Sequence, residues 1–181
     1  MTAVRVLLTA AVGILGASAL AVFGSSAKPA PPAQPIPFNH RIHAGDNHIG
    51  CTACHAYAER GPVAGIPSMA RCKGCHKFVK EDEKNPAVTA EIQLLLQRLE
   101  EGKAIEWVRV HRLPDHVFFT HQRHVLAGVA CQACHGEVER METVRQVSPL
   151  TMGWCLDCHW RKQAERPAAL ARLTDCWTCH K

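Results

Sequence analysis

The sequence predicts a mainly helical chain with extensive loops, whose core comes from bound groups as much as from its own side chains, preceded by one N-terminal transmembrane helix. Three observations predict this. Aromatic residues make up only 6% of the 181 residues, with a single tyrosine, and large aromatic side chains usually carry much of a core's buried apolar area. All ten cysteines fall into five copies of one motif: CTACH at 51–55, CKGCH at 72–76, CQACH at 131–135, CLDCH at 155–159 and CWTCH at 176–180. Finally, Val6 to Phe23 is an uncharged apolar run preceded by Arg5.

The motif identifies the bound group. Two thiols three positions apart can each form a thioether to one haem vinyl group, and the histidine that follows reaches the iron. The reading is five covalently bound haem c groups, held by Cys51 and Cys54, Cys72 and Cys75, Cys131 and Cys134, Cys155 and Cys158, and Cys176 and Cys179. The proximal iron ligands are then His55, His76, His135, His159 and His180. Zinc fits poorly, because its sites pair two CxxC knuckles around one ion and need no histidine after each second cysteine. A disulfide framework likewise gives no reason for five histidines in register.

The apolar run is long for the hydrophobic region of a signal peptide and just long enough to span a bilayer. Although Ser25 and Ala27 resemble a cleavage site, a retained anchor over residues 1–27 is expected. Arg5 holds the N-terminus inside, so the chain after Lys28 is exported. Residues 28–37, KPAPPAQPIP, form a stiff proline-rich strap.

A comparison of the chain with itself shows a repeat: FNHRIHAGDNHIGCTACH at 38–55 and FTHQRHVLAGVACQACH at 119–135. Both carry F-x-H-x-x-H, with eight positions from His43 to Cys51 and seven from His124 to Cys131. The expected division is a two-haem module at 38–85, a connecting helix at 86–110 and a three-haem module at 111–181. Within the connection, Asn85 can cap, Pro86 suits the first turn, Gly102 can end the helix, and Val88, Ile92, Leu95, Leu96 and Leu99 line one face. No strand pair is evident.

Seven further histidines (40, 43, 48, 111, 116, 121 and 124) and the internal Met69, Met141 and Met152 exceed the five distal positions to be filled. Every iron can therefore be six-coordinate. Such irons bind no substrate and pass electrons, so an independent enzyme is not expected. The formal charge of +5 and pI near 8.7 do not indicate nucleic acid, because five haems add about ten propionate charges that Arg109, Arg112 and Arg123 can pair with.

F-x-H-x-x-H ahead of CxxCH resembles the small multihaem cytochromes of the c3 and c7 type, class III. In that family the first histidine ligates the haem attached just downstream and the second reaches another. The resemblance implies that His40 and His121 serve their own modules' first haem while His43 and His124 cross to a neighbour. Met152 and Met69 each stand three residues before a haem cysteine, and both remain open as the last distal ligand.

A second resemblance rests on FNHRIHAGDNHIGCTACH, EWVRVHRLPDHVFFTHQRHVLAGVACQACHGEVERM and LTMGWCLDCH. These stretches look like the pentahaem cytochrome subunit of bacterial alternative complex III. That family implies His111 as the remaining distal ligand. It also implies a place on the periplasmic side of the bacterial inner membrane, beside an iron-sulfur subunit and polytopic membrane subunits, with electrons from quinol passing to a monohaem cytochrome c or a terminal oxidase. The competing expectation is a stand-alone, membrane-tethered electron shuttle to a periplasmic reductase.

Overall fold

The computed structural model describes residues 30–167 and 172–181. The expected membrane helix at Val6–Phe23 and the first two strap residues lie outside them. Among the described residues no helix is long and apolar enough to cross a membrane.

Helices and loops make up the described chain, with no strand. A π-helical turn at Arg41–Asp46 is followed by α1 (Cys51–Cys54), α2 (Met69–His76) and α3 (Pro86–Glu100). The second half carries α4 (His121–Leu126), α5 (Gln132–His135), a 3-10 turn at Val138–Arg140, α6 (Met152–Glu165) and α7 (Cys176–Cys179). Each CxxCH thus lies in or just beyond a helical turn, where positions i and i+3 share a face and both thiols point to one side.

The repeat is visible as geometry. Phe38 meets His40 edge-on at 4.8 Å and stacks on His43 at 4.3 Å; Phe119 meets His121 edge-on at 4.8 Å and stacks on His124 at 4.6 Å. The copies differ in their turn, π-helical in the first and α-helical in the second. A π-turn is an α-turn with one residue inserted, and the first copy has one more residue between its second histidine and its first cysteine. The wider turn absorbs the insertion without moving the rings.

Helix α3 forms as expected at its start: the Asn85 side chain accepts from the Ala87 and Val88 amides, and Pro86 occupies the first helical position. Its apolar stripe buries Ile92 and Leu95. The helix ends at Glu100, followed by Gly102 at φ +64°, a conformation glycine adopts without penalty. Residues 103–110 carry no helix, so the connection is helical only in its first part.

Few side chains are buried. The apolar ones are Ile36, Ala58, Ile92, Leu95 and Met141, and none of the described side chains is fully enclosed. Phe78, Tyr57, Trp160 and Trp177 are all exposed.

The strap is pinned where it meets the domain. The Gln34 amide donates to the Val108 carbonyl and accepts from the Val108 amide, both at 2.9 Å, and Ile36 is buried beside it in sequence.

The two halves meet where the π-turn packs on the 3-10 turn. Arg41 N–H donates to the Met141 carbonyl at 3.0 Å, and its guanidinium bridges Asp46 and Glu142. A Cβ on Gly45 would collide with the Glu139 carbonyl oxygen. Gly45→Ala should therefore force the halves apart and destabilise the haem-loaded protein by about 1–3 kcal/mol; a thermal melt unchanged from the parent would show that the turns do not hold the halves together.

Candidate haem-binding sites

Each motif histidine is oriented by a hydrogen bond at Nδ1. His55 Nδ1 donates to the Gly65 carbonyl at 2.7 Å, His76 to Val79 at 3.0 Å, His159 to Leu173 at 3.0 Å and His180 to His116 at 3.2 Å. His135 Nδ1 instead lies 3.3 Å from His111 Nε2. A carbonyl can only accept, so the first four rings carry their proton on Nδ1. That tautomer leaves the Nε2 lone pair open to a metal, the usual orientation of metal-ligating histidine.

Three of the candidate distal histidines are held the same way. His43 Nδ1 donates to Asn39, His121 to Pro62 and His124 to Thr120, each at 2.8 Å. Their rings face motif rings: His43 and His76 have centroids 6.2 Å apart, His121 and His135 6.2 Å with planes within 6°, and His124 and His159 6.1 Å with planes within 25°. Two metal–nitrogen bonds of about 2 Å plus two ring radii of about 1 Å give a separation of about 6 Å. The spacing fits one iron between each pair.

His40 is held differently. Its Nδ1 is buried without a hydrogen-bond partner among the described residues, an arrangement that costs about 1–3 kcal/mol unless a bound group relieves it. Burial, with His55 and His43 close by, pushes His40 down to about 4, and burial beside His111, His121 and His55 does the same to His135. Burial also pushes His159 down. Neutral imidazole is the form that ligates metal, so these environments keep the rings ready for iron.

Six of the ten cysteines are half-buried, and Cys51, Cys75, Cys131 and Cys176 are exposed. Burial raises Cys54, Cys72, Cys131, Cys134 and Cys155 above the ordinary thiol range. Partial burial of paired thiols next to histidines suits a large ligand that both can reach. The exposed Arg109, Arg112 and Arg123 form none of the ion pairs among the described residues.

The candidates for the last distal position are dispersed. His111 is hydrogen-bonded to His135 on the Nδ1 side and packs edge-on at 4.4 Å, so its Nε2 is engaged there. Met152 is 67% exposed. Met69 and Met152 are each the first residue of the helix that carries their motif, which accounts for their shared offset. His116 and His48 are exposed; His116 offers His180 its carbonyl, with its ring 5.5 Å away. That carbonyl is a role the sequence could not signal, because a backbone oxygen leaves no residue signature.

Residues 21–93 match the class III cytochrome C family, and residues 117–181 match cytochrome c7 and related cytochrome c. The matched segments contain all five CxxCH motifs. The chain is also 36% identical over 107 residues, 59% of its length, to the menaquinone reductase, multiheme cytochrome c subunit of Nitratidesulfovibrio vulgaris. It spans about half of that curated relative, 48% of its length. Along both halves the chain is thus similar to multihaem c-type cytochromes of the c3/c7 type, and what that similarity carries is electron transfer.

The Phe119 ring fixes two candidate ligands at once. Phe119→Ala should lower the melting temperature of the haem-loaded protein, by the few degrees that about 2 kcal/mol represents in a chain of this size, and broaden the absorbance of the haems at 131–135 and 155–159. Unchanged spectra and stability would mean that the ring does not position the histidines.

Proposed function

We propose that this chain is the pentahaem electron-transfer subunit of a membrane quinol-oxidising respiratory complex of the alternative complex III kind. In this reading it takes electrons from an iron-sulfur subunit and passes them to a monohaem cytochrome c or a terminal oxidase on the periplasmic side, held by its N-terminal helix. The observation that carries the electron-transfer reading is the pairing of a candidate distal histidine with a motif histidine across gaps of 6.1–6.2 Å. An iron with two such ligands has no open position for substrate.

Haem c supplies one-electron exchange between ferric and ferrous iron. The residues do the rest. The five cysteine pairs would hold the groups covalently, and His55, His76, His135, His159 and His180 would each ligate one iron. His40 and His121 would complete the sites at 51–55 and 131–135, and His43 and His124 those at 72–76 and 155–159. For the site at 176–180, His111 would have to release His135 to ligate, and Met152 is the alternative. Arg109, Arg112 and Arg123 neutralise propionates.

If His43 is the second ligand of the 72–76 site, His43→Ala leaves one iron per chain with a single histidine. The expected outcome is one high-spin, carbon monoxide-binding haem in five, absent from the parent. A variant that binds no carbon monoxide removes His43 from the ligand set.

The printed name of the relative favours a second reading, a cytochrome subunit of a complex that reduces menaquinone. The pinned strap speaks against the third, the stand-alone, membrane-tethered shuttle that a flexible strap would suit, since Gln34 and Ile36 tie it to the domain. Gentle solubilisation of native membranes, isolation by haem absorbance and mass spectrometry of what accompanies the chain separates the three. An iron-sulfur subunit and polytopic membrane subunits in fixed ratio, with quinol oxidation, is the expected result. A complex that reduces menaquinone and does not oxidise quinol supports the second reading, and a lone, quinol-inactive cytochrome supports the shuttle.

A further inference from the structure

The sequence numbers the haem sites from 51–55 to 176–180, but the fold does not set them side by side in that order. Four sets of contacts, each between two sites, define a different succession.

The first set joins 72–76 to 51–55. His40 and His43 lie three residues apart around the π-turn; His43 faces His76 at 6.2 Å, and His55 is a neighbour of His40. The Cys54 thiol has Cys75 beside it, and Cys72 has Cys54.

The second set joins 51–55 to 131–135. Cys51 is close enough to Cys131, and His55 to His135, for the first of each pair to act electrostatically on the second. Backbone geometry agrees, since the π-turn packs on the 3-10 turn just after His135. The loop after His55 also accepts from the start of α4: His121 Nδ1 and N–H donate to Pro62, and Gln122 N–H donates to Gly61.

The third set repeats the logic of the first inside the second half. His121 faces His135, and His124, one turn further along α4, faces His159. Cys134 has Cys158 and Cys155 as neighbours.

The fourth set joins 155–159 to 176–180. Cys155 has Cys179 beside it. His159 Nδ1 donates to Leu173, and the Thr174 hydroxyl bonds the Gln163 side chain of α6, tying the approach to α7 onto α6.

We infer that the five attachment sites form one row in the order 72–76, 51–55, 131–135, 155–159, 176–180, so that the second and the last motifs of the sequence are its two ends, where electrons are exchanged with redox partners. The inference rests on the electron-transfer reading above and adds the succession to it. The physical cause is the doubled F-x-H-x-x-H turn. In each half its first histidine serves the half's first site and its second reaches outward, while the halves dock through those first sites. The two modules therefore meet at 51–55 and 131–135 and their remaining sites extend away. Phe78, just after the 72–76 motif, and Trp177, inside the 176–180 motif, are the two most exposed large apolar side chains described, at 78% and 74%. The row thus ends beside the two most exposed large apolar side chains among the described residues.

The test is to locate the irons in the intact, haem-loaded full chain by cryo-electron microscopy of its native assembly or by crystallography. The row predicts that the iron at His76 has the iron at His55 as its nearest neighbour, and that the irons at His55 and His135 are adjacent. Five irons with His76 nearest to the 131–135 or 155–159 iron would overturn the order and leave the electron-transfer reading standing. Fewer than five irons per chain would overturn the reading and the order with it. A second measurement uses Cys72→Ala combined with Cys75→Ala, which removes one end. Redox titration should then show four haems, with the largest shift in potential at the 51–55 haem, and a largest shift at any other haem overturns the order.

Discussion

The hydrogen bond from a histidine Nδ1–H to a backbone carbonyl is the interaction on which this architecture depends. Seven rings make it: His43, His55, His76, His121, His124, His159 and His180. Each bond fixes a tautomer and a ring plane, and so decides where an Nε2 lone pair points. The carbonyls come from loops such as Pro62, Gly65 and Leu173, so the irregular backbone is the scaffold of the ligands. A chain with so few buried side chains has little core to orient these rings by packing. Hydrogen bonds and covalent attachment do that work.

Economy follows from duplication. One phenylalanine sets two imidazoles in each half, one edge-on and one stacked. Because the two histidines are three positions apart on a helical turn, they project to the same face a few ångströms from one another. In the proposed reading, ligands so close on one turn would bring their irons close together, which is what electron conduction needs. The π-turn in the first copy shows how strongly that placement is held: an added residue changed the type of turn and left the ring geometry nearly unchanged.

Charge and attachment point in one direction. Arg109, Arg112 and Arg123 are exposed and available to propionates, and the strap is clipped at Gln34 before it reaches the domain. In the reading proposed above, a cytochrome held this way suits fixed neighbours within a complex more than diffusion between them. The similarity to a multiheme cytochrome c subunit over 59% of the chain is what the comparison adds to that reading.

The sequence by itself determined the cofactor chemistry, because the thioether pair and proximal histidine are local and need only the spacing CxxCH. It also determined the duplicated module and the start and end of α3, since Asn85, Pro86 and Gly102 act through neighbouring backbone groups. Tertiary structure decided what depends on distance between remote segments. That His43 stands opposite His76 and His124 opposite His159, that His111 turns its Nε2 to His135, and that His116 serves His180 through its carbonyl, are all consequences of how loops cross. The docking of the π-turn on the 3-10 turn belongs with them, because Gly45 and Glu139 are far apart in sequence. Local spacing encodes which groups bind, whereas packing between segments remote in the chain sets which ring faces which.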